Sequence, residues 1–255
     1  MSQAAGPLLE VRNLTHRFPD GSWGIRNINL TLFDNELLVL TGQNGSGKSV
    51  LMLHLNGLLK PTEGEVLYRG LPITKDLKKT RQKVGLVFQD SDNQIVGQTV
   101  EEDVAFGPEN LGLPKAQVDQ RVDTALGRMQ ISHLSEKSPH ALSGGEKRRL
   151  AIAGLLALEP EILILDEPFS SLDWSGVQDV LNAILELHES GKSVIVITHD
   201  VEKVLAHGTR LVIMREGRVE RDDEPGALLP ELRDFGVRGA SGGSMARLGE
   251  LTWLK

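Results

Sequence analysis

Hydrophobic residues follow two different patterns along this chain of 255 residues. In segments 8–18 (LLEVRNLTHRF) and 24–32 (GIRNINLTL), apolar and polar residues alternate, which predicts half-buried antiparallel strands. Other short runs are almost entirely apolar, as expected of parallel strands buried on both faces. These runs are LLVLT, KVGLVF, ILILD and SVIVIT. Helical segments follow several of them, so the pattern predicts an α/β core around a mostly parallel sheet.

The strand pattern stops between about Gln94 and Pro160, where three segments with helical patterns follow one another. We therefore predict a core formed by 1–93 and 161–221, with an N-terminal antiparallel β subdomain, and a helical subdomain at 94–160 inserted into it. Residues 222–255 form a C-terminal tail. Its end, GVRGASGGSMARLGELTWLK, is compatible with a linker and a short docking helix or with a disordered segment.

Composition and charge narrow the function without identifying it. The net charge of −7 argues against a nucleic-acid partner, since phosphate binding needs a basic face. The absence of cysteine excludes disulfides, thiol catalysis and thiolate metal sites. The apolar runs are shorter than the roughly 18 to 20 residues that span a bilayer, and the first residues lack a signal-peptide pattern. We expect a cytoplasmic protein that reaches a membrane only through another protein.

The segment GQNGSGKS (42–49) follows an apolar strand and precedes a helical segment, which is the context of the GxxxxGK[ST] phosphate loop. The glycines allow backbone N–H groups to surround phosphates at a helix N-terminus. Lys48 can reach the β- and γ-phosphates, and the Ser49 hydroxyl can join a Mg²⁺ shell. The alternative is a Gly-rich turn with an exposed lysine. The residues expected to hold the nucleotide here are Gly42, Asn44, Gly45, Ser46, Gly47, Lys48, Ser49 and Val50.

The buried strand ILILDEP (162–168) ends in two carboxylates. Beside the phosphate loop, Asp166 is expected to hold Mg²⁺, through water, and Glu167 can accept a proton from an attacking water. Without the phosphate loop, Asp-Glu at this position would be an ordinary strand end. The two motifs together favour ATP and Mg²⁺ as the ligands.

A phosphate loop followed by LSGGE (142–146) and then ILILDEP resembles the ATP-binding-cassette (ABC) ATPases. The resemblance runs from about Leu8 to Arg221 and implies a P-loop NTPase (RecA-like) core. It also implies roles for residues outside the phosphate loop. Gln89 resembles the glutamine of the family's Q-loop, at the nucleotide and its metal; Asp173 ends a D-loop; His199 resembles the switch histidine that contacts the γ-phosphate; and Phe18 lies where an aromatic ring stacks on adenine. The catalytic residues implied are Glu167, His199 and Lys48.

Two positions have ordinary structural alternatives or depart from the family pattern. Phe18 could be a core residue of its strand. Val50 stands where the family usually has threonine, so only its backbone N–H remains for the α-phosphate.

In the family that the chain resembles, LSGGE contacts the nucleotide of a partner cassette. Ser143, Gly144 and Gly145 would then cap the γ-phosphate of ATP held by the second subunit, in a head-to-tail dimer with two ATP molecules. Ser143 and Glu146 also have the spacing of a helix capping box, and the two roles are compatible. The resemblance allows a homodimer or a heterodimer with a paralogous ATPase.

The segment 88–114 (FQDSDNQIVGQTVEEDVAFGPENLGLP) resembles the ATPases of energy-coupling-factor (ECF) importers, which carry vitamins or cobalt or nickel ions. The resemblance implies a groove for a coupling helix of a transmembrane scaffold, a substrate-binding membrane subunit, and a location on the cytoplasmic face of the cell membrane. The acidic residues Glu101, Glu102 and Asp103 are alternatively only a solvated helix face. The rival function is a soluble ABC-type ATPase, such as one in iron–sulfur assembly.

Overall fold

The computed structural model describes residues 6–237, 248 and 252–254. Its strands are β1 (Leu9–Arg17), β2 (Trp23–Leu32), β3 (Leu37–Gly42), β4 (Glu63–Tyr68), β5 (Leu71–Pro72), β6 (Val84–Val87), β7 (Ile162–Asp166), β8 (Ser193–Ile197), β9 (Arg210–Arg215) and β10 (Arg218–Asp223). Its α-helices are α1 (Lys48–Leu55), α2 (Leu77–Lys83), α3 (Val100–Asn110), α4 (Lys115–Arg128), α5 (Gly144–Leu156), α6 (Trp174–Glu189) and α7 (Pro225–Leu228). Short 3₁₀ helices lie at Ile73–Lys75, Ser91–Asn93, Ser132–Leu134, Pro139–Ala141, Val201–Lys203 and Leu229–Phe235.

The strands form two sheets, and the predicted α/β fold class is confirmed. A four-stranded antiparallel sheet has the order β2-β1-β4-β5, and a six-stranded sheet has the order β10-β9-β3-β8-β7-β6. In the larger sheet every pair is parallel except the β9–β10 hairpin at its edge. The apolar runs became strands of this sheet, and all residues of β3, β6 and β8 are buried.

Strand order determines where the loops meet. In the larger sheet the parallel strands lie side by side in the order β3, β8, β7 and β6. About 75 residues separate β6 from β7 along the chain. Because parallel strands end at the same edge, the segments that leave their carboxyl ends come together there. This edge therefore collects residues that are far apart in sequence.

Between residues 94 and 160 the described segments are helical, and the described strands lie outside this range. The helix α3 begins with a capping box formed by Thr99 and Glu102. The expectation of a solvated acidic face is wrong for Asp103, because its side chain is buried and accepts the backbone N–H groups of Val96 and Gly97 at 2.7 and 2.9 Å. The carboxylate stabilises the turn before α3 instead of facing solvent.

The C-terminal tail that follows β10 begins with helical residues. Residues 225–235 form α7 and a 3₁₀ helix, which the polar, Pro-containing sequence did not predict. Most of the Gly-rich end, 238–247 and 249–251, lies outside the described residues. Beyond it, the Trp253 ring stacks on Trp174 at 4.6 Å between centroids, and Gln178 donates to the Trp253 carbonyl at 2.9 Å. The last described residues therefore dock on the start of α6.

Candidate nucleotide site and signature helix

The loop between β3 and α1 has a conformation that only glycine permits at its first position. Gly42 has a φ of 146°, and a Cβ there would lie 2.1 Å from the carbonyl oxygen of Met214. Further along, Gly47 has a φ of 99° and precedes the first turn of α1. The first N–H groups of a helix have no intrahelical acceptor, so α1 presents free donors and a positive dipole end to this loop.

Lys48 is held inside this loop. Its Nζ donates to the carbonyl oxygens of Gly42 and Gln43 at 2.6 and 3.0 Å. Burial lowers the pKa of Lys48, while Glu167 and Asp166 act in the opposite direction. The ammonium group is therefore positioned at the loop with neutral carbonyl partners, which phosphate oxygens could replace at a gain in electrostatic energy.

A cleft of about 310 Å³ opens at this edge of the sheet. It brings together most of the residues predicted from separate motifs. Its lining consists of Phe18, Trp23, Gly24, Asn44, Gly45, Ser46, Gly47, Lys48, Ser49, Val50, Gln89, Asp166 and Glu167. Trp23 was not predicted, although it is an exposed aromatic residue that begins β2 only five positions after Phe18. The lining combines the phosphate loop with the aromatic rings of Phe18 and Trp23, which is the chemistry that a nucleotide requires.

The oxygen donors in the cleft suit Mg²⁺. A hydroxyl, an amide and a carboxylate, from Ser49, Gln89 and Asp166, line the same space, and hard oxygen ligands are what Mg²⁺ prefers. Burial, together with the charge of Glu167, raises the pKa of Asp166 to about 6, against the opposite effect of Lys48 and Arg148. A divalent cation would remove this penalty by stabilising the ionised carboxylate.

Glu167 adopts a left-handed backbone conformation with a φ of 44°, which is uncommon for a residue with a side chain. Its carboxylate accepts the hydroxyl of Thr198 at 2.9 Å and the backbone N–H of His199 at 3.0 Å. The oxygen that accepts the His199 N–H, Oε1, also lies 2.7 Å from His199 Nδ1. His199 does not line the cleft itself, so Glu167 is its connection to the site.

The LSGGE segment lies elsewhere. Ser143 caps α5, with its Oγ accepting the Glu146 N–H at 3.3 Å while its own N–H donates to Glu146 at 2.7 Å. The capping box is therefore present as predicted. Gly144 and Gly145 face the start of α6, since Cβ atoms there would lie 3.5 Å from Leu172 and 3.4 Å from Gly176.

None of the three signature residues, Ser143, Gly144 and Gly145, lines the cleft, nor does Asp173, whose side chain caps α6 by accepting the Gly176 N–H at 2.9 Å. The structure thus groups the predicted residues in two sets. The phosphate loop, Phe18, Gln89 and the two carboxylates form one, and the signature and D-loop residues form the other.

Sequence reasoning did not identify the role of Gln94 in the DNQ motif. Its side-chain oxygen accepts the Phe88 N–H at 2.8 Å, and its amide nitrogen donates to the Leu86 carbonyl at 3.0 Å. These bonds hold the end of β6, from which Gln89 reaches the cleft. The sequence shows that Gln94 follows β6 after a few residues. It does not show that the side chain turns back to bond the backbone of Leu86 and Phe88.

Within the part of the chain that the structure describes, none of the helices has both the length and the apolar character needed to span a membrane. Within the same residues, no group of three or more His, Cys, Asp or Glu side chains could hold a metal ion.

Comparisons with known proteins agree with this geometry. The sequence profile described as ABC transporter matches residues 25–170. The energy-coupling factor transporter ATP-binding protein EcfA of Methanocaldococcus jannaschii is 44% identical over 221 residues, which cover 86% of this chain and 79% of that protein.

Solved structures are similar as well. The cbiO1 protein of Clostridium perfringens, described as part of the ABC transporter complex cbiONQ, superposes with a TM-score of 0.82 at 38% identity, covering 91% of this chain and 95% of that one. A dimeric post-hydrolysis state of the ATP-binding cassette MJ0796, bound to ADP and Pi, gives a TM-score of 0.76 at 30% identity, covering 85% and 98%.

Proposed function

The chain belongs to the ABC transporter family as an ATPase that couples ATP hydrolysis to transport, and we propose that it is the ATPase subunit of an ECF-type importer. Two relatives that are 44% identical to the chain over 221 residues are energy-coupling factor transporter ATP-binding proteins, which supports this proposal. The observation that carries the finer proposal is an acidic groove on the helical block (94–160), where half of the lining residues belong to the segment 88–114 that resembles the ECF ATPases.

This groove has a volume of about 580 Å³ and lies between α3, α4 and the segment near Ser135. Carboxylates dominate its charge, with a single lysine among the lining side chains. The lining residues are Thr99, Glu101, Glu102, Ala105, Glu109, Leu113, Lys115, Val118, Asp119, Val122, Ser135 and Glu136. A short helix with apolar and basic side chains would complement this surface in shape and charge. We assign it to a coupling helix of a transmembrane scaffold subunit.

At the nucleotide site, the loop 42–49 and the start of α1 bind the phosphates, and Phe18 with Trp23 contacts the base. Glu167 accepts the proton of the attacking water, and its bonds to Thr198 and His199 orient the carboxylate. Lys48 and His199 contact the γ-phosphate. When bound at Ser49, Gln89 and Asp166, Mg²⁺ supplies charge neutralisation of the phosphate oxygens.

The signature residues serve a second subunit in this proposal. Ser143, Gly144 and Gly145 stand at the N-terminus of α5, away from the cleft of their own chain, and a helix N-terminus favours an anion. In a head-to-tail dimer they would face the γ-phosphate of the partner's ATP, with Asp173 at the interface. The dimer is proposed as a homodimer, since the site carries all of its motifs; a paralogous partner subunit would preserve the same geometry.

Transport follows from closure of this dimer. ATP would join the two chains, the helical blocks would move with α5, and the grooves would reorient the scaffold on the cytoplasmic face of the membrane. The transported solute, for which we propose a cobalt or nickel ion or a vitamin, binds the membrane subunits and does not touch this chain. The alternative is a soluble ABC-type ATPase, in which the groove would not bind a coupling helix.

Affinity purification from detergent-solubilised membranes of the host distinguishes these functions. We expect a multi-spanning scaffold and a small membrane subunit to co-purify in stoichiometric amounts, with the cargo identified by elemental and small-molecule analysis. Recovery of only soluble partners, from membranes shown to contain intact complexes, would exclude the importer.

A further inference from the structure

Arg148 is a buried cation on α5, the signature helix that is capped by Ser143 of LSGGE, and the proposed mechanism does not use it. Arg148 is 4% exposed, and burial lowers the pKa of its guanidinium group. Within the described residues it makes no direct ion pair with a carboxylate. Burying a guanidinium without such a partner costs free energy, which its hydrogen bonds have to offset.

Those hydrogen bonds go to the Q-loop. Nη1 of Arg148 donates to the Phe88 carbonyl and Nη2 to the Gln89 carbonyl, both at 2.6 Å. Nη2 also lies 3.5 Å from the Ser170 hydroxyl at the start of the D-loop. Two successive carbonyls matched by one planar fork define both the distance and the orientation of the two segments.

The adjacent residue adds a second connection. Lys147 forms an ion pair with Asp92 at 2.7 Å, on the outside of the same contact. Gln89 lines the nucleotide cleft, while Ser143 caps α5 only five residues before Arg148. At 1.5 Å per residue, about 7.5 Å of helix separates the backbone of Arg148 from the Ser143 cap.

We propose that Arg148 is a positioning residue that couples the nucleotide bound by its own subunit to the orientation of the signature helix. A displacement of Gln89 toward bound nucleotide moves the carbonyls to which Arg148 is bonded, and α5 moves with them as a unit. The signature residues thereby become oriented for the partner's ATP only when their own site is filled. This inference rests on the proposed ATP-sandwich dimer and adds the link between its two halves.

Arg148→Lys tests the link because lysine keeps the charge but cannot bridge two carbonyls with a rigid fork. In a Glu167→Gln background, ATP affinity of the monomer is measured with a fluorescent ATP analogue, and ATP-driven dimerisation by analytical ultracentrifugation. We expect nucleotide affinity within about twofold of the parent and dimerisation weakened about tenfold, the size of an ordinary coupling energy. Arg121→Lys is the matched control. Arg121 also donates to a backbone carbonyl in the helical block, that of Ala157, but does not contact the Q-loop, and its change is expected to alter neither quantity.

Equal dimerisation of the Arg148→Lys variant and its parent would overturn the proposal, as would a parallel loss of nucleotide affinity and melting temperature, which indicates a purely structural role. A second measurement needs no substitution. At a concentration too low for dimerisation, ATP is expected to slow hydrogen exchange in α5 as well as at 89–92 in the wild-type chain. Slowing confined to 89–92 would contradict the coupling. If the Glu167→Gln parent itself fails to dimerise, the sandwich dimer is wrong, and the exchange experiment still judges Arg148 separately.

Discussion

Glu167 and His199 contact each other directly, with Oε1 of the carboxylate 2.7 Å from Nδ1 of the imidazole. They follow the neighbouring strands β7 and β8, so strand pairing brings together two residues that are 32 positions apart. The carboxylate also accepts the His199 backbone N–H, which holds both side chains at the edge of the nucleotide cleft. A proton acceptor is thereby oriented by the loop that would contact the γ-phosphate.

Glu167→Gln is expected to abolish turnover while preserving ATP binding. The amide oxygen can still accept the His199 N–H that Oε1 accepts, and the amide nitrogen takes the place of Oε2 beside the Thr198 hydroxyl, which can accept its hydrogen bond, but the side chain no longer takes a proton. Loss of a general base lowers a rate by at least about 100-fold, which steady-state phosphate release measures. The variant should also accumulate as an ATP-bound dimer in ultracentrifugation. Undiminished hydrolysis would remove Glu167 as the base.

Ser143→Arg is expected to spare nucleotide binding and prevent ATP-driven dimerisation, because a bulky cation replaces the cap that faces the partner in the proposed dimer. Loss of a helix cap by itself costs about 1 kcal/mol of stability. Thr99→Arg controls for this, since Thr99 caps α3 in the same helical block. Dimerisation is compared in the Glu167→Gln background. A Ser143→Arg variant that dimerises as well as the control would disprove the role proposed for LSGGE.

Asp166→Asn is expected to stabilise the nucleotide-free protein in a pH-dependent way. Burial raises the pKa of Asp166 in the folded state to about 6, above its ordinary value of 3.8, so ionisation opposes folding. Relative to asparagine, the penalty is full above about pH 6, declines as the pH falls, and is absent below the unfolded-state value.

Urea unfolding of both proteins without nucleotide, at several pH values between 4 and 8, measures the difference in free energy of unfolding. The Asp166→Asn variant should exceed the wild-type chain in free energy of unfolding by the largest margin at high pH. The same variant should lose Mg²⁺-dependent ATP hydrolysis. A stability difference that does not vary with pH would show that Asp166 is not buried as an anion.

Charge reversal at Glu101 and Glu109 is expected to leave ATP hydrolysis of the isolated chain unchanged and to weaken assembly with the membrane subunits. Both residues line the acidic groove, whereas Glu102 is avoided because it also caps α3. The matched control reverses Glu186 and Glu189, which are exposed on α6. Co-purification from membranes is the readout. Assembly that survives the groove variant as well as the control variant would leave these acids without a docking role.

Local patterns explain why much of the site could be predicted from sequence. A phosphate loop needs glycines with positive φ angles next to the start of a helix, and the segment 42–49 meets both requirements within eight consecutive residues. Buried parallel strands require continuous apolar runs, which identified β3, β6, β7 and β8. The capping box at Ser143 and Glu146 is likewise encoded by spacing alone.

Tertiary structure alone decided what depends on contacts between distant segments. The order β3-β8-β7-β6 places Gln89, Asp166 and the loop 42–49 in one cleft. The burial of Asp103, the bonds of Arg148 to the Q-loop and the stacking of Trp253 on Trp174 followed from no periodicity. Periodicity reports which face of an element is buried, but the partner on that face is chosen by the packing of the whole chain.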